Sequence, residues 1–211
     1  MLLELDNDSS NYYWGLATVD LDLGNFESAL QSALKMYACD KEDPDNIYLL
    51  FYTYLYLRDF KNADLLLQKY TAIMKQQGSE IGPDYLFGFA YFQNGNMEEA
   101  DFHFNGIIEE ELNIIEQNQP AATCRAYMTL AKIHSVRNEK EKALEYLKKV
   151  TDCMDLSIFR IKDYRNCTMF DNIRQEPGFQ EYLQQAEAKY RQEHEKVEQL
   201  LRQEGILISS L

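Results

Sequence analysis

The sequence predicts an all-α protein of stacked helical hairpins closed by a C-terminal helix. Three observations carry this expectation. Only 4 prolines and 9 glycines interrupt 211 residues, an economy of helix breakers that suits long helices and not a many-stranded sheet. One short phrase recurs four times. Towards the end of the chain, apolar residues recur at three- and four-residue steps, the spacing of one helical stripe.

The phrase reads Gly24-Asn25-Phe26-Glu27-Ser28-Ala29-Leu30, then Arg58-Asp59-Phe60-Lys61-Asn62-Ala63-Asp64. It returns as Gly95-Asn96-Met97-Glu98-Glu99-Ala100-Asp101 and as Arg137-Asn138-Glu139-Lys140-Glu141-Lys142-Ala143-Leu144. Aligned on Ala29, Ala63, Ala100 and Ala143, successive copies are 34, 37 and 43 residues apart. A segment of helical length lies on each side of every copy, which predicts eight helices near residues 10–23, 26–39, 45–57, 60–76, 83–94, 97–117, 121–136 and 140–153. Two insertions account for the longer intervals: Gln76 to Gly82 supplies a loop, and Glu109 to Gln119 lengthens the sixth helix and its exit. Pro44, Pro83 and Pro120 then stand at the openings of first helices and Pro177 opens the last, where a missing N–H costs nothing.

An interval of 34 is the length of a tetratricopeptide helix–turn–helix unit, and the residues resemble that family. Phe87-Gly88, Tyr91, Gly95, Ala100 and Phe104 of the third unit match its large–small pair, aromatic, turn glycine, small packing residue and second-helix aromatic. The first unit has Leu16-Ala17, Gly24, Ala29 and Ala33, the second Leu50-Phe51, Tyr54, Ala63 and Leu67, the fourth Leu130-Ala131, His134, Ala143 and Leu147. Phe51 departs from the family where a small residue is usual, and Asp20 where an aromatic is. The resemblance implies a right-handed superhelix and divides the chain at residue 153, with four hairpins over 1–153 and a closing region over 154–211.

Leu2 to Asn11 is similar to a second-helix exit and inter-unit linker, so the chain reads as a piece of a longer chain, as an array lacking its first unit, or as having a short N-terminal tail. Beyond Cys153 the repeat stops. Asp155 to Lys162 carries spaced apolar residues, and Pro177 launches a helix to about Gln203 with Phe179, Leu183, Ala186, Tyr190, Val197 and Leu200 or Leu201 on one stripe. Phe170 to Phe179 resembles the segment that closes such arrays in bacterial regulatory proteins. An array exposes an apolar end that a last helix would cover; a homodimer through this helix is the other use of the stripe.

Charge and chemistry narrow the function. The formal net charge of −14 repels phosphate backbones and anionic membranes. Met1 to Asp6 lacks the cationic and apolar parts of a secretory signal. The longest apolar run, Ile47 to Leu57, is about half the ~20 residues that span a bilayer. Cys39, Cys124, Cys153 and Cys167 form no Cys-x-x-Cys pair and read as reduced thiols of a cytoplasmic protein. His103, His134 and His194 lack metal-ligand spacing, and no phosphate-binding or nucleophile motif is present. The chain reads as a non-enzyme without a cofactor or metal.

The first helices of stacked hairpins line the concave side. The phase set by the alanines turns Trp14, Thr18 and Leu21, then Tyr48, Tyr52 and Leu55, then Tyr85, Phe89 and Phe92, then Arg125, Met128 and Lys132 towards it. Such rings favour a protein or amphipathic peptide segment, with Arg125 and Lys132 facing an acidic group of the ligand. The expected function is a protein- or peptide-binding scaffold module in a regulatory or sensory part of a larger bacterial protein. The alternative is a structural or oligomerisation array whose groove or open end is closed by its own C-terminal helix.

Overall fold

The computed structural model describes residues 8–117, 119–152 and 158–204, and among these no strand occurs. Ten helices follow one another among the described residues: α1 (Asp8–Leu23), α2 (Phe26–Cys39), α3 (Pro44–Tyr56), α4 (Phe60–Gln76), α5 (Tyr85–Gln93), α6 (Met97–Glu116), α7 (Pro120–Val136), α8 (Lys140–Asp152), α9 (Ile158–Asn166) and α10 (Pro177–Gln203). A 3-10 turn, Thr168–Phe170, lies between α9 and α10. Cys153 and the 153/154 boundary lie outside the described residues, as do the first seven residues of the chain.

The recurring phrase is a recurring turn. Gly24, Arg58, Gly95 and Asn138 all have positive φ, between 59° and 80°, and each stands five residues before its unit's alanine. Asn25, Asp59, Asn96 and Glu139 donate their N–H to Asp20, Tyr54, Tyr91 and His134, five residues back, the six-to-one bond of a helix end turned by one left-handed residue. The same four residues accept the N–H of Ala29, Ala63, Ala100 and Ala143. One backbone motif thus ends each first helix and starts each second, with glycine in two copies and strained arginine or tolerated asparagine in the others.

Small residues let the paired helices approach. Ala17, Ala29, Ala63, Ala100, Ala131 and Ala143 are buried, and a Cβ on Gly88 would stand 2.8 Å from the Phe104 ring. Phe51, where a small residue was expected, is buried with its ring 5.5 Å from Phe87 of the next hairpin. Asp20 accepts hydrogen bonds from Asn25 at 3.1 Å and Ser28 at 2.6 Å, which bind the first turn together. His134, at the corresponding position of the fourth unit, is buried, stacks on Tyr146 and meets Glu139 through Nδ1 at 3.0 Å.

Helix packing is consecutive: α1 with α2, α3 with α4, α5 with α6, α7 with α8, and each hairpin with the next through α2–α3, α4–α5 and α6–α7. Pro44, Pro120 and Pro177 open α3, α7 and α10. Pro83 does not open α5, which begins at Tyr85 with Asp84 as its N-cap; the proline ring lies against Gly106 of α6, where a Cβ would stand 2.3 Å from it.

After α8 the chain turns back over the hairpins. α9 packs on α1 and α10, the 3-10 turn packs on α7, and α10 packs on α8. Cys167, Met169, Phe170, Ile173, Phe179, Tyr182 and Leu183 belong to the same buried cluster as the hairpin cores.

Candidate docking cleft

Among the described residues, the chain's own return segment lies against the first helices of the hairpins, with a cleft between α1 and α3 and another between α5, α6 and α7. Cys167, Thr168 and Met169 lie against Tyr52, Leu55, Tyr56, Tyr85, Leu86, Phe89 and Lys132, leaving about 10 Å³ between them. Thr168 Oγ1 donates to the Leu55 carbonyl at 3.4 Å. Arg58 donates from Nε and Nη2 to the two carboxylate oxygens of Asp171 at 3.0 and 2.9 Å, and Asn172 Nδ2 donates to the Ser135 carbonyl at 3.0 Å. The middle of the expected continuous groove is therefore filled, and the filling is the segment before α10, not α10 itself.

The first cleft, of about 770 Å³, lies between α1 and α3. Trp14, Thr18 and Leu21 face Tyr48, Leu49 and Tyr52 across it, with Met36 of α2 also in its wall. Trp14 is 51% exposed. Its polar side comes from Asp22 of α1 and from the opening of α3, where Asp43, Asp45 and Asn46 line it. Asp43 Oδ1 accepts the N–H of Asp45 at 2.8 Å and of Asn46 at 3.1 Å, the usual use of an N-cap carboxylate. Buried Asn46 fixes the cleft's width, since its Oδ1 accepts from Ser10 Oγ of α1 at 3.0 Å and its Nδ2 donates to the Asp40 carbonyl at 2.9 Å.

Tyr48 belongs to the cleft by one edge and to the core by the other. Its ring is 5.9 Å from both Phe51 and Phe87 and 6.1 Å from Tyr70, and its hydroxyl donates to Asp84 Oδ2 at 3.3 Å. Burial and the neighbouring Asp84 carboxylate push its phenol far above the ordinary range. Tyr48 is a neutral donor at every physiological pH.

The second cleft, of about 410 Å³, lies between α5, α6 and α7, with Tyr85, Arg125, Met128 and Lys132 in its wall. Its cations face the protein's own carboxylates. Arg125 lies near Glu111, whose carboxyl burial pushes up while Thr129 and Arg125 pull it down, and Glu110 and Asp84 line the same cleft. The Lys132 ammonium is 5.9 Å from the centre of the Tyr85 ring, within cation–π range.

Two sequence-assigned rings are placed differently. Phe89 faces the concave side but is 1% exposed, held between Met169 and the Phe60 ring 5.6 Å away. Phe92 is turned into its own hairpin, 6.4 Å from Phe104. The α5 sequence, YLFGFAYFQ, is apolar all round, so no stripe marks its inward face. Sequence reasoning does not reach Asp43, Asp45 and Asn46; their signal is the Asp-Pro-Asp-Asn run at the start of α3, of which Pro44 alone enters the sequence reading.

Among the described residues no group of three His, Cys, Asp or Glu side chains is placed to hold a metal ion, and no helix is long and apolar enough to cross a membrane. Cys39 is exposed, Cys124 and Cys167 are buried, and none forms a disulfide. Comparison with family models, with curated proteins and with solved structures returned no match for this chain.

Proposed function

We propose that this chain is a non-catalytic protein- or peptide-binding module, and that the cleft between α1 and α3 is where the partner docks. The carrying observation is that this cleft is open and aromatic, while the chain's own Cys167–Met169 fills the middle of the concave side. Trp14, Tyr48 and Tyr52 offer rings with little side-chain entropy to lose, the residue types that dominate binding energy at protein interfaces. Burying such a ring contributes about 1.5–3 kcal/mol.

The identical turns and small interface residues support a tetratricopeptide-type, right-handed array, with α10 capping the last hairpin through Phe179, Tyr182 and Leu183. The likeness of Phe170 to Phe179 to bacterial closing segments supports a regulatory or sensory role in the bacterial cytoplasm.

Random peptides displayed on phage and selected against the protein test the reading. Enriched peptides should change the emission of Trp14, the one tryptophan of the chain, and lose binding to a Trp14→Ala, Tyr52→Ala variant. Peptides that bind this variant unchanged would move the site elsewhere. A second reading, an oligomerisation array, is favoured by the outer half of α10, where Val197 is 54% and Leu200 60% exposed.

A further inference from the structure

We infer that the α1–α3 cleft takes a cationic amphipathic segment, with an Arg or Lys head over Trp14 and the carboxylates of Asp43 and Asp45, and an apolar neighbour against Leu21, Leu49 and Tyr52. This rests on the docking role proposed for that cleft and names the chemistry of what docks.

Three observations converge on it. Among the described residues, the ionisable groups that line the cleft are Asp22, Asp43, Asp45, Tyr48 and Tyr52, with no Lys or Arg. An exposed indole is the ring that best attracts a cation, and it does so most strongly when the cation is partly desolvated. Here Trp14 lines the same cleft as the carboxylates, so a guanidinium on its face also has opposite charge in the cleft to meet. The second cleft differs, because Arg125 and Lys132 sit among its acids and an incoming cation would meet like charge.

The charge of the whole molecule supplies the third observation: a net charge of −14 steers a cationic segment towards the molecule before contact.

The test uses the full chain and three acetylated, amidated decapeptides in which leucine alternates with arginine, glutamate or serine. Trp14 emission and calorimetry read binding to the wild type; calorimetry alone reads Trp14→Ala and Asp45→Lys, with circular dichroism as the folding control. The Leu/Arg peptide should bind at least tenfold tighter than the Leu/Ser peptide and the Leu/Glu peptide should not bind. Each variant should weaken Leu/Arg binding about tenfold or more, and salt raised from about 0.05 M to about 0.5 M should weaken it similarly by screening.

Equal binding of the Leu/Arg and Leu/Ser peptides, with Trp14 responding to both, would overturn the cationic assignment and leave the docking cleft standing, as would preference for Leu/Glu. Failure of every peptide to alter Trp14 at millimolar concentration would overturn both. Trp14 emission that changes with protein concentration alone, as a dimer appears by sedimentation, would make the cleft a contact between copies and also overturn both.

Discussion

The imidazole Nδ1 of His103 accepts the backbone N–H of Asp84 at 3.0 Å. That fixes the neutral tautomer with its proton on Nε2, because a protonated ring has no lone pair to offer. Asp84 is thereby a junction: its carboxylate caps α5 through Leu86 N–H at 2.7 Å and Phe87 N–H at 3.1 Å and accepts the Tyr48 hydroxyl from α3. His103 stacks on Tyr91 and meets Phe87 edge-on. Burial lowers its pKa, partly opposed by the Asp84 charge.

A group whose folded pKa is depressed binds fewer protons in the folded than in the unfolded state, so stability falls as pH drops below the unfolded value of about 6.5. His134 has the same sign, its pKa lowered by burial against the pull of Glu139. Thermal unfolding followed by circular dichroism should show Tm falling between about pH 7 and pH 5. His103→Gln, whose side-chain carbonyl can still accept the Asp84 N–H, should flatten that fall; an unchanged slope would assign the pH dependence elsewhere.

Glycines in two helices should respond oppositely to alanine. At Gly88 the new methyl meets Phe104 at 2.8 Å and the Cβ of His103 at 3.1 Å, so overpacking of about 1–3 kcal/mol should outweigh the helix propensity gained. Gly15 has nothing within 4 Å of the added carbon, and Gly15→Ala should stabilise by about 0.5–1 kcal/mol. Urea unfolding of the two variants checks the contrast.

Met169 and Val197 both lie after the repeats, and truncating them should differ in cost. Met169→Ala empties a site closed by Leu55, Leu86 and Phe89 and should cost about 2–4 kcal/mol. Val197→Ala, at a position 54% exposed, should lie within about 0.5 kcal/mol of wild type in dilute protein. A larger loss that grows with protein concentration would show that α10 is covered by a second copy.

Quenching of Trp14 offers a check on the cleft without any ligand. With half its surface exposed among Asp22, Asp43 and Asp45, the indole should be quenched more by caesium than by iodide at equal ionic strength, because the carboxylates concentrate the cation. Protection from both would mean that the cleft is closed in solution, and reversed order would mean that the carboxylates do not set the charge around Trp14.

The hairpins were legible in the sequence because their determinants are local. Ala29 or Ala100 and the turn five residues earlier fix where two helices meet, so helix limits fell within two residues of the observed ones from α1 to α8. The return segment was not legible, because nothing between Asp155 and Glu176 states what it packs on. Its anchors are long-range: Thr168 reaches Leu55 and Asp171 reaches Arg58, each 113 residues away. Trp14, Tyr48 and Tyr52 could be placed together by phase alone; Phe89 could not be known to be covered until Met169 was seen on top of it.

The left-handed residue that recurs five positions before each alanine bears on how such a chain can change length. Orientation between the two helices of a hairpin is set inside that turn, while additions of three and nine residues fall in the α4–α5 loop and at the end of α6. A copied hairpin would thus enter with its own geometry already determined, and lengthening or shortening the spacers leaves every existing turn undisturbed. Growth by duplication, and the grafting of units between arrays, are open to this architecture at little structural risk.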